Sequence, residues 1–169
     1  PALLSQDELS QESEAYIIGD SIEGWADAIH RLLEYFFVSG SKKPVFDYSE
    51  IRPKGAKIAG RFIAPGTDGL RLSLDKIRGL LKEAVTAGQR RLSALQCTDI
   101  IAYLADSVLS GGVRRSALMI LFSPEDKEMV NCKHGDWFST NPQRARFNMS
   151  AALNRGQVER TVYEYLFEA

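Results

Sequence analysis

The chain has 169 residues, 44% of them hydrophobic and 25% charged, with a formal net charge of -1 at neutral pH. That length and composition suit one soluble globular domain with a sizeable core, and the near-neutral charge gives no general pull toward nucleic acid or an anionic membrane. Cys97 and Cys132 stand far apart, with no second cysteine or histidine at metal-ligand spacing, which argues against a disulfide framework and against a zinc site. The opening residues lack the charged and apolar blocks of a signal peptide, and no run approaches the ~20 apolar residues of a membrane span. A cytoplasmic protein is expected, with no nucleic-acid or membrane partner.

Residues 1–14 are polar and acidic from Gln6 onward and read as a mobile leader, with one domain over 15–169. Ala15-Tyr-Ile-Ile18 suits a short strand. Ile22, Trp25, Ala26, Ile29, Leu32, Leu33, Phe36 and Phe37 then recur at the helical period, behind Asp20 or Ser21 as N-cap and ahead of Gly40 as terminator. Residues 45–51 read as a strand, and 52–72 as a long loop rich in Gly, Pro, Lys and Arg, a length expected to be functional or disordered. Ser73 is placed as the cap of a second helix carrying Leu74, Ile77, Leu80, Leu81, Ala84 and Val85. A third helix is expected from about Thr98 and Asp99 to Gly111-Gly112. Ala117-Leu-Met-Ile-Leu-Phe122 is a continuous apolar run, typical of a strand covered on both faces in a parallel α/β sheet. Ser123-Pro-Glu-Asp126 has the order of cap, N1 proline and acidic first turn, 147–153 suits another strand, and Val158, Val162, Tyr165 and Leu166 mark a last amphipathic helix.

Two runs are hard to explain as packing. Asn141-Pro-Gln-Arg-Ala-Arg-Phe-Asn148 concentrates planar hydrogen-bonding side chains suited to phosphate, ribose or base edges. Gly111-Gly-Val-Arg-Arg-Ser-Ala117 places Arg114 and Arg115 between a helix and a strand, where open α/β sheets usually hold ligands. Those two arginines equally suit bracing a helix C-terminus, or pairing with Asp106 or Glu125. Trp25 and Trp137 are most simply core or interface aromatics. His30 and His134 have no companions suggesting catalysis or a metal, and neither cysteine looks redox-active.

Four blocks, in order, resemble the adenosylcobalamin-dependent class of ribonucleotide reductase. They are Gly19-Asp-Ser-Ile-Glu-Gly-Trp25, Phe46-Asp-Tyr-Ser-Glu-Ile-Arg-Pro-Lys-Gly-Ala56, Ser110-Gly-Gly-Val-Arg-Arg-Ser-Ala-Leu118 and Asn131-Cys-Lys-His-Gly-Asp-Trp-Phe-Ser-Thr-Asn-Pro-Gln-Arg144. The family's fold is a ten-stranded α/β barrel of two parallel five-stranded halves, and the resemblance implies a piece of the first half, with helices flanking the sheet. It further implies that Asp20 holds the sugar hydroxyl of an allosteric deoxynucleotide, with Ser21 beside it, a role compatible with capping. The 52–69 loop is similar to the segment that grips the effector's triphosphate, with Arg52, Lys54, Lys57 and Arg61 as its cations. Gln143, Arg144, Arg146 and Asn148 resemble the specificity loop lying between effector and substrate base.

The family's radical chemistry uses a cysteine in an Asn-x-Cys-x-Glu loop, a reducing cysteine pair and a general-base carboxylate, none of which is matched in this sequence. No catalytic residue is therefore assigned, and the chain alone is expected to be inactive. Ala59-Gly-Arg-Phe-Ile-Ala-Pro-Gly66 replaces a Gly/Ser-rich turn, and Asn148-Met149 replaces paired asparagines. The leading expectation is a portion of a reductase that acts with the remainder of the chain or a companion subunit. That assembly would use adenosylcobalamin, a nucleotide substrate and a deoxynucleoside triphosphate effector. Alternatives are a freestanding deoxynucleotide-binding regulatory module, working as a homodimer, and an inactive remnant.

Overall fold

The computed structural model describes residues 1–58, 62–107, 117–156 and 158–168. It divides into two compact units, Pro1–Leu92 with Tyr103–Arg115, and Ser93–Ala102 with Ser116–Ala169. Three two-stranded sheets occur among the described residues, two parallel and one antiparallel. The architecture is α/β, with short parallel sheets and helices.

In the first unit, β1 (Ser13–Ile17) and β2 (Lys43–Asp47) pair in parallel, with Ser13 opposite Lys43 and Ile17 opposite Asp47. Parallel neighbours need a crossover, and α1 (Ile22–Phe37) supplies it. Ala28, Leu32 and Phe36, four residues apart, are its buried stripe. Gly40, at φ +83°, turns the chain after the helix.

The loop expected over 52–72 is partly ordered. β3 (Lys57–Ile58) and β4 (Phe62–Ile63) form a short antiparallel hairpin, and α2 (Asp68–Thr86) begins before Ser73. Ser73 does not cap this helix. It is buried within it, and its hydroxyl donates to the Tyr103 carbonyl at 2.6 Å. The apolar stripe explains the earlier start, since Leu70 precedes Leu74, Ile77 and Leu81 at helical spacing and is fully buried. At the far end, Gln89 N–H donates to the Ala84 carbonyl and Gly88 N–H to Val85, with Gly88 at φ +72°. Those are the paired bonds of a Schellman motif, which satisfies carbonyls the helix leaves open.

The segment expected as a mobile leader makes specific contacts. Leu3 and Leu4 are buried, and their N–H groups donate to the carbonyls of Arg90 and Phe36. A 3-10 turn at Gln6–Glu8 follows, and β1 already includes Ser13 and Glu14. The acidic stretch conceals two apolar anchors in front of it.

α3 (Ala94–Ser107) starts earlier than Thr98. Ser93 Oγ accepts from Gln96 N–H at 3.2 Å, while Gln96 Oε1 accepts from Ser93 N–H at 2.8 Å, a reciprocal capping box. Residues 94–102 of this helix fall in the second unit and 103–107 in the first. The expected helix stop at Gly111-Gly112 lies outside the described residues.

In the second unit, β5 (Leu118–Phe122) pairs in parallel with β6 (Phe147–Ala151), Leu118 opposite Phe147. Ala102, Cys132 and Phe147 form a buried cluster, with Leu95, Leu118, Ile120 and Met149 packed against it. β5 was expected to be covered on both faces, but Met119 and Leu121 are 60% and 69% exposed. Alternate residues point to opposite faces, and only the face of Leu118 and Ile120 meets the cluster. After β5 come α4 (Lys127–Asn131), the one-turn α5 (Trp137–Thr140), a 3-10 turn at Pro142–Arg146 and, beyond β6, α6 (Arg160–Glu168). The N-cap of α4 is Asp126, which accepts from Met129 N–H at 3.1 Å, rather than Ser123. Ser123 and Pro124 instead form the preceding turn, closed by Asp126 N–H on the Ser123 carbonyl.

Candidate functional site

The junction of β1 and α1 is built by two glycines. A Cβ on Gly24 would lie 2.4 Å from the Gly19 carbonyl oxygen and 2.9 Å from its Cα, so only glycine lets the first turn of α1 rest on that backbone. Asp20 and Ser21 are thereby fixed between them. Ser21 is the N-cap, its Oγ accepting from Gly24 N–H at 2.9 Å. Asp20 is left to look outward, and its Oδ2 accepts from Arg52 Nε at 2.5 Å.

Arg52 follows Ile51, which is buried and anchors the segment leaving β2. Beyond it the hairpin is closed by Gly55 N–H on the Ala64 carbonyl and by Ala64 N–H on Ala56. Gly66, at φ +76°, returns so close that a Cβ would lie 2.9 Å from Lys54 N. Between α1 and this hairpin is a cavity of about 620 Å³. Asp20, Ser21, Arg52 and Ser107 supply polar groups at its edge, and Ile22, Trp25, Ile29, Ile58, Ile63 and Leu104 line much of the rest. Trp25, expected as a core or interface aromatic, is therefore a wall of this cavity. The two side chains of the ion pair are 40% and 28% exposed, so the pair adds little to stability. Its importance is chemical: among the described residues the pair shares one hydrogen bond, and a carboxylate has more acceptor sites, and a guanidinium more donors, than that bond uses. Lys54 and Lys57 are exposed and are not among the cavity's lining residues. Arg61 lies outside the described residues, as do Arg114 and Arg115.

The 3-10 turn of the second unit has a different character. Gln143 is buried and its Nε2 donates to Asp99 Oδ1 at 3.1 Å. Arg144 makes a two-pronged contact with the same carboxylate, Nε to Oδ1 at 3.1 Å and Nη2 to Oδ2 at 2.9 Å, while Nη1 donates to the Cys132 carbonyl at 2.8 Å. These side chains were expected to face a nucleotide, and here they face α3. Arg146 is half-buried at the end of the turn, and Asn148 is exposed on β6 opposite Met119. Sequence reasoning missed Asp99 by reading it as a helix start. The legible signal was its spacing with Leu95 and Ala102, which places a carboxylate on the buried stripe of α3, where it needs a cationic partner.

Neither cysteine lines the cavity. Cys97 is exposed. Cys132 is buried with its Sγ 3.2 Å from Met149 Sδ, and burial pushes its thiol above the usual range despite the nearby Arg144 and Lys133. Among the described residues no group of three or more His, Cys, Asp or Glu is placed to hold a metal ion, and no helix is long and apolar enough to cross a membrane.

No protein-family model matches the chain. Individual proteins do. The probable adenosylcobalamin-dependent ribonucleoside-triphosphate reductase of Dictyostelium discoideum is 33% identical across 78% of the chain, and the adenosylcobalamin-dependent ribonucleoside-triphosphate reductase of Lactobacillus gasseri is 38% identical across 78%. The match takes in 17% and 19% of those proteins, so the chain spans about a fifth of the length of the curated relatives it matches. A crystal structure of a B12-dependent (class II) ribonucleotide reductase superposes with a TM-score of 0.72 at 28% identity, covering 89% of this chain and 21% of that one. In class, then, the chain is a homologue of ribonucleotide reductases. In particular, it matches one segment of the adenosylcobalamin-dependent ribonucleoside-triphosphate reductases.

Proposed function

We propose that this chain is the part of a class II ribonucleotide reductase that holds an allosteric deoxynucleoside triphosphate and relays its identity to the substrate. It would form part of one five-stranded half of the α/β barrel. The observation that carries the reading is the Asp20–Arg52 pair at the edge of the cavity beside the start of α1. Asp20 accepts the sugar hydroxyl, a strong acceptor for a neutral donor. Arg52 meets the phosphates with Lys54, Lys57 and Arg61, and the start of α1 favours anionic oxygen nearby. Ser21 completes the sugar end, and the apolar wall with Trp25 receives the base. The segment with Gln143, Arg144, Arg146 and Asn148 is the relay.

The sequence contains no Asn-x-Cys-x-Glu loop, so the radical cysteine and its reductants come from the remainder of the enzyme or a companion subunit. The cavity's lining has neither histidine nor cysteine to ligate cobalt, and the adenosylcobalamin on which the relatives depend would serve the assembled enzyme. A second copy of the chain would cover the exposed apolar edge of the cavity at Ile22 and Ile63. The test is thermal: a deoxynucleoside triphosphate raises the melting temperature, by the linkage of binding to folding, and Asp20→Ala removes the shift. No shift at millimolar ligand refutes the proposal.

A further inference from the structure

Two of the side chains that the proposed relay would use are already engaged. Gln143 and Arg144 are 5% and 13% exposed, and both donate to Asp99, itself 6% exposed. Arg144 also holds the Cys132 carbonyl. The turn is thus tied to α3 through one carboxylate and to the end of α4 through one backbone oxygen. Little of the Arg144 guanidinium is left for a phosphate or a base edge.

We infer that Asp99 is a positioning residue, a latch that holds the 141–147 turn in a withheld state, and that an anionic ligand of this turn must displace Asp99 from Arg144 before it can bind there. This rests on the nucleotide reading above for the identity of the ligand, but the latch itself does not. The chemistry is a competition between two anions for one planar donor. Carboxylate and phosphate oxygens both accept the same pair of parallel N–H groups, so Arg144 can serve one fully only by leaving the other. Two discrete arrangements of a turn, each favoured by a different anion, are what a relay between sites requires. The latched state lowers apparent affinity by the fraction of molecules that are released.

The direction of the effect separates a latch from a mere brace. If Asp99 only shaped the turn for binding, Asp99→Asn would weaken a triphosphate ligand. If it competes, Asp99→Asn tightens that ligand, because the neutral amide cannot hold the guanidinium through two acceptor oxygens.

The experiment uses the full chain with Asp99→Asn, and with Arg144→Lys in case the first variant fails to fold. Arg144→Lys keeps the charge and the trypsin site while losing the two-pronged contact. Limited trypsin digestion without ligand reads release of position 144. Calorimetric titration with cytidine triphosphate reads the competition in Asp99→Asn. Cleavage after position 144 is expected to accelerate at least about tenfold in either variant, and the Kd of Asp99→Asn to fall about tenfold or more. Unchanged cleavage in a folded variant, or weaker binding by Asp99→Asn, overturns the latch. Faster cleavage with no binding of cytidine triphosphate by any form upholds Asp99 as the tether of the turn but overturns its displacement by an anion, and with it the reading of this turn as a nucleotide contact.

Discussion

The contact between Gly24 and Gly19 gives a prediction whose sign is opposite to the usual one. Replacing a helix-interior glycine by alanine normally stabilises, by about 0.8–1.0 kcal/mol from helix propensity. At position 24 the new methyl carbon would stand 2.4 Å from the Gly19 carbonyl oxygen and 2.8 Å from its carbon, against an ordinary carbon–oxygen approach of about 3.3 Å. Both partners are backbone, one in α1 and one at the exit of β1, so neither can swing aside as a side chain would. Overpacking of this kind costs about 1–3 kcal/mol, and a backbone overlap of nearly 1 Å belongs at the top of that range. The net loss for Gly24→Ala is then about 2 kcal/mol after the propensity gain. At roughly 2–4 °C per kcal/mol for a chain of this size, the melting temperature falls by about 4–8 °C. Gly79, within α2, has nothing within 4 Å of its would-be Cβ. Gly79→Ala therefore stabilises by about 0.5–1 kcal/mol. Urea denaturation of both variants beside the parent is the assay. If Gly24→Ala comes out as stable as Gly79→Ala, the close packing of the first turn of α1 on Gly19 is wrong, and so is the placement of Asp20.

Other expectations follow from single contacts. Glu8 accepts from Ser5 N–H at 2.6 Å and pairs with Arg90 at 2.8 Å, which together hold its carboxyl at about 2, below its ordinary 4.5. Because the folded value is depressed, this contribution is fully present above pH 4.5 and lost as pH falls through about 2. Glu8→Gln should flatten that part of the stability profile, measured by denaturation at stepped pH. Ser73→Ala deletes a buried donor to the Tyr103 carbonyl and should cost about 1–2 kcal/mol in denaturant melts. A thiol-specific disulfide reagent should label exposed Cys97 quickly, and buried Cys132, whose thiol is pushed up by burial, only slowly until the chain is unfolded. Equal fast labelling of both would contradict the packing of Cys132 against Met149.

Periodicity made part of the fold legible. The extent of α1 was readable because Leu32 and Phe36 recur at helical spacing between a capping serine and Gly40, although the buried face was read less well: Ala28 lies on it, and Ile22, read as part of it, is 87% exposed. Polar residues inside helices caused the misreadings. Ser73 resembles a cap, yet it is a buried donor to a neighbouring helix, and the helix start was marked instead by Leu70 and by Gly66 at positive φ. Thr98 and Asp99 resemble a helix start, while the Ser93 and Gln96 capping box announced the true one. β5 looked apolar on both sides, but among the described residues the buried cluster meets only the face of Leu118 and Ile120. At the candidate site, Asp20, Ser21 and Arg52 do come together within one unit. Of the loop's cations only Arg52 falls squarely on the family pattern, and it is the one that lines the cavity, while Lys54 and Lys57 are exposed, a difference that charge alone does not show. Gln143 and Arg144 were read for what they can bind, and their engagement by Asp99 depends on a tertiary pairing 44 and 45 residues away.

The central claim is that Asp20 receives the hydroxyl of a deoxynucleotide sugar while Arg52 meets its phosphates. The most direct test is a calorimetric comparison of a deoxynucleoside triphosphate with its 2′,3′-dideoxy counterpart, which lacks the 3′-hydroxyl, on the parent chain and on Asp20→Ala. The account predicts that the parent prefers the hydroxyl-bearing ligand by about tenfold, the worth of one hydrogen bond to a charged acceptor, and that Asp20→Ala binds the two alike. Equal affinities on the parent chain, or a preference that survives Asp20→Ala, would contradict it.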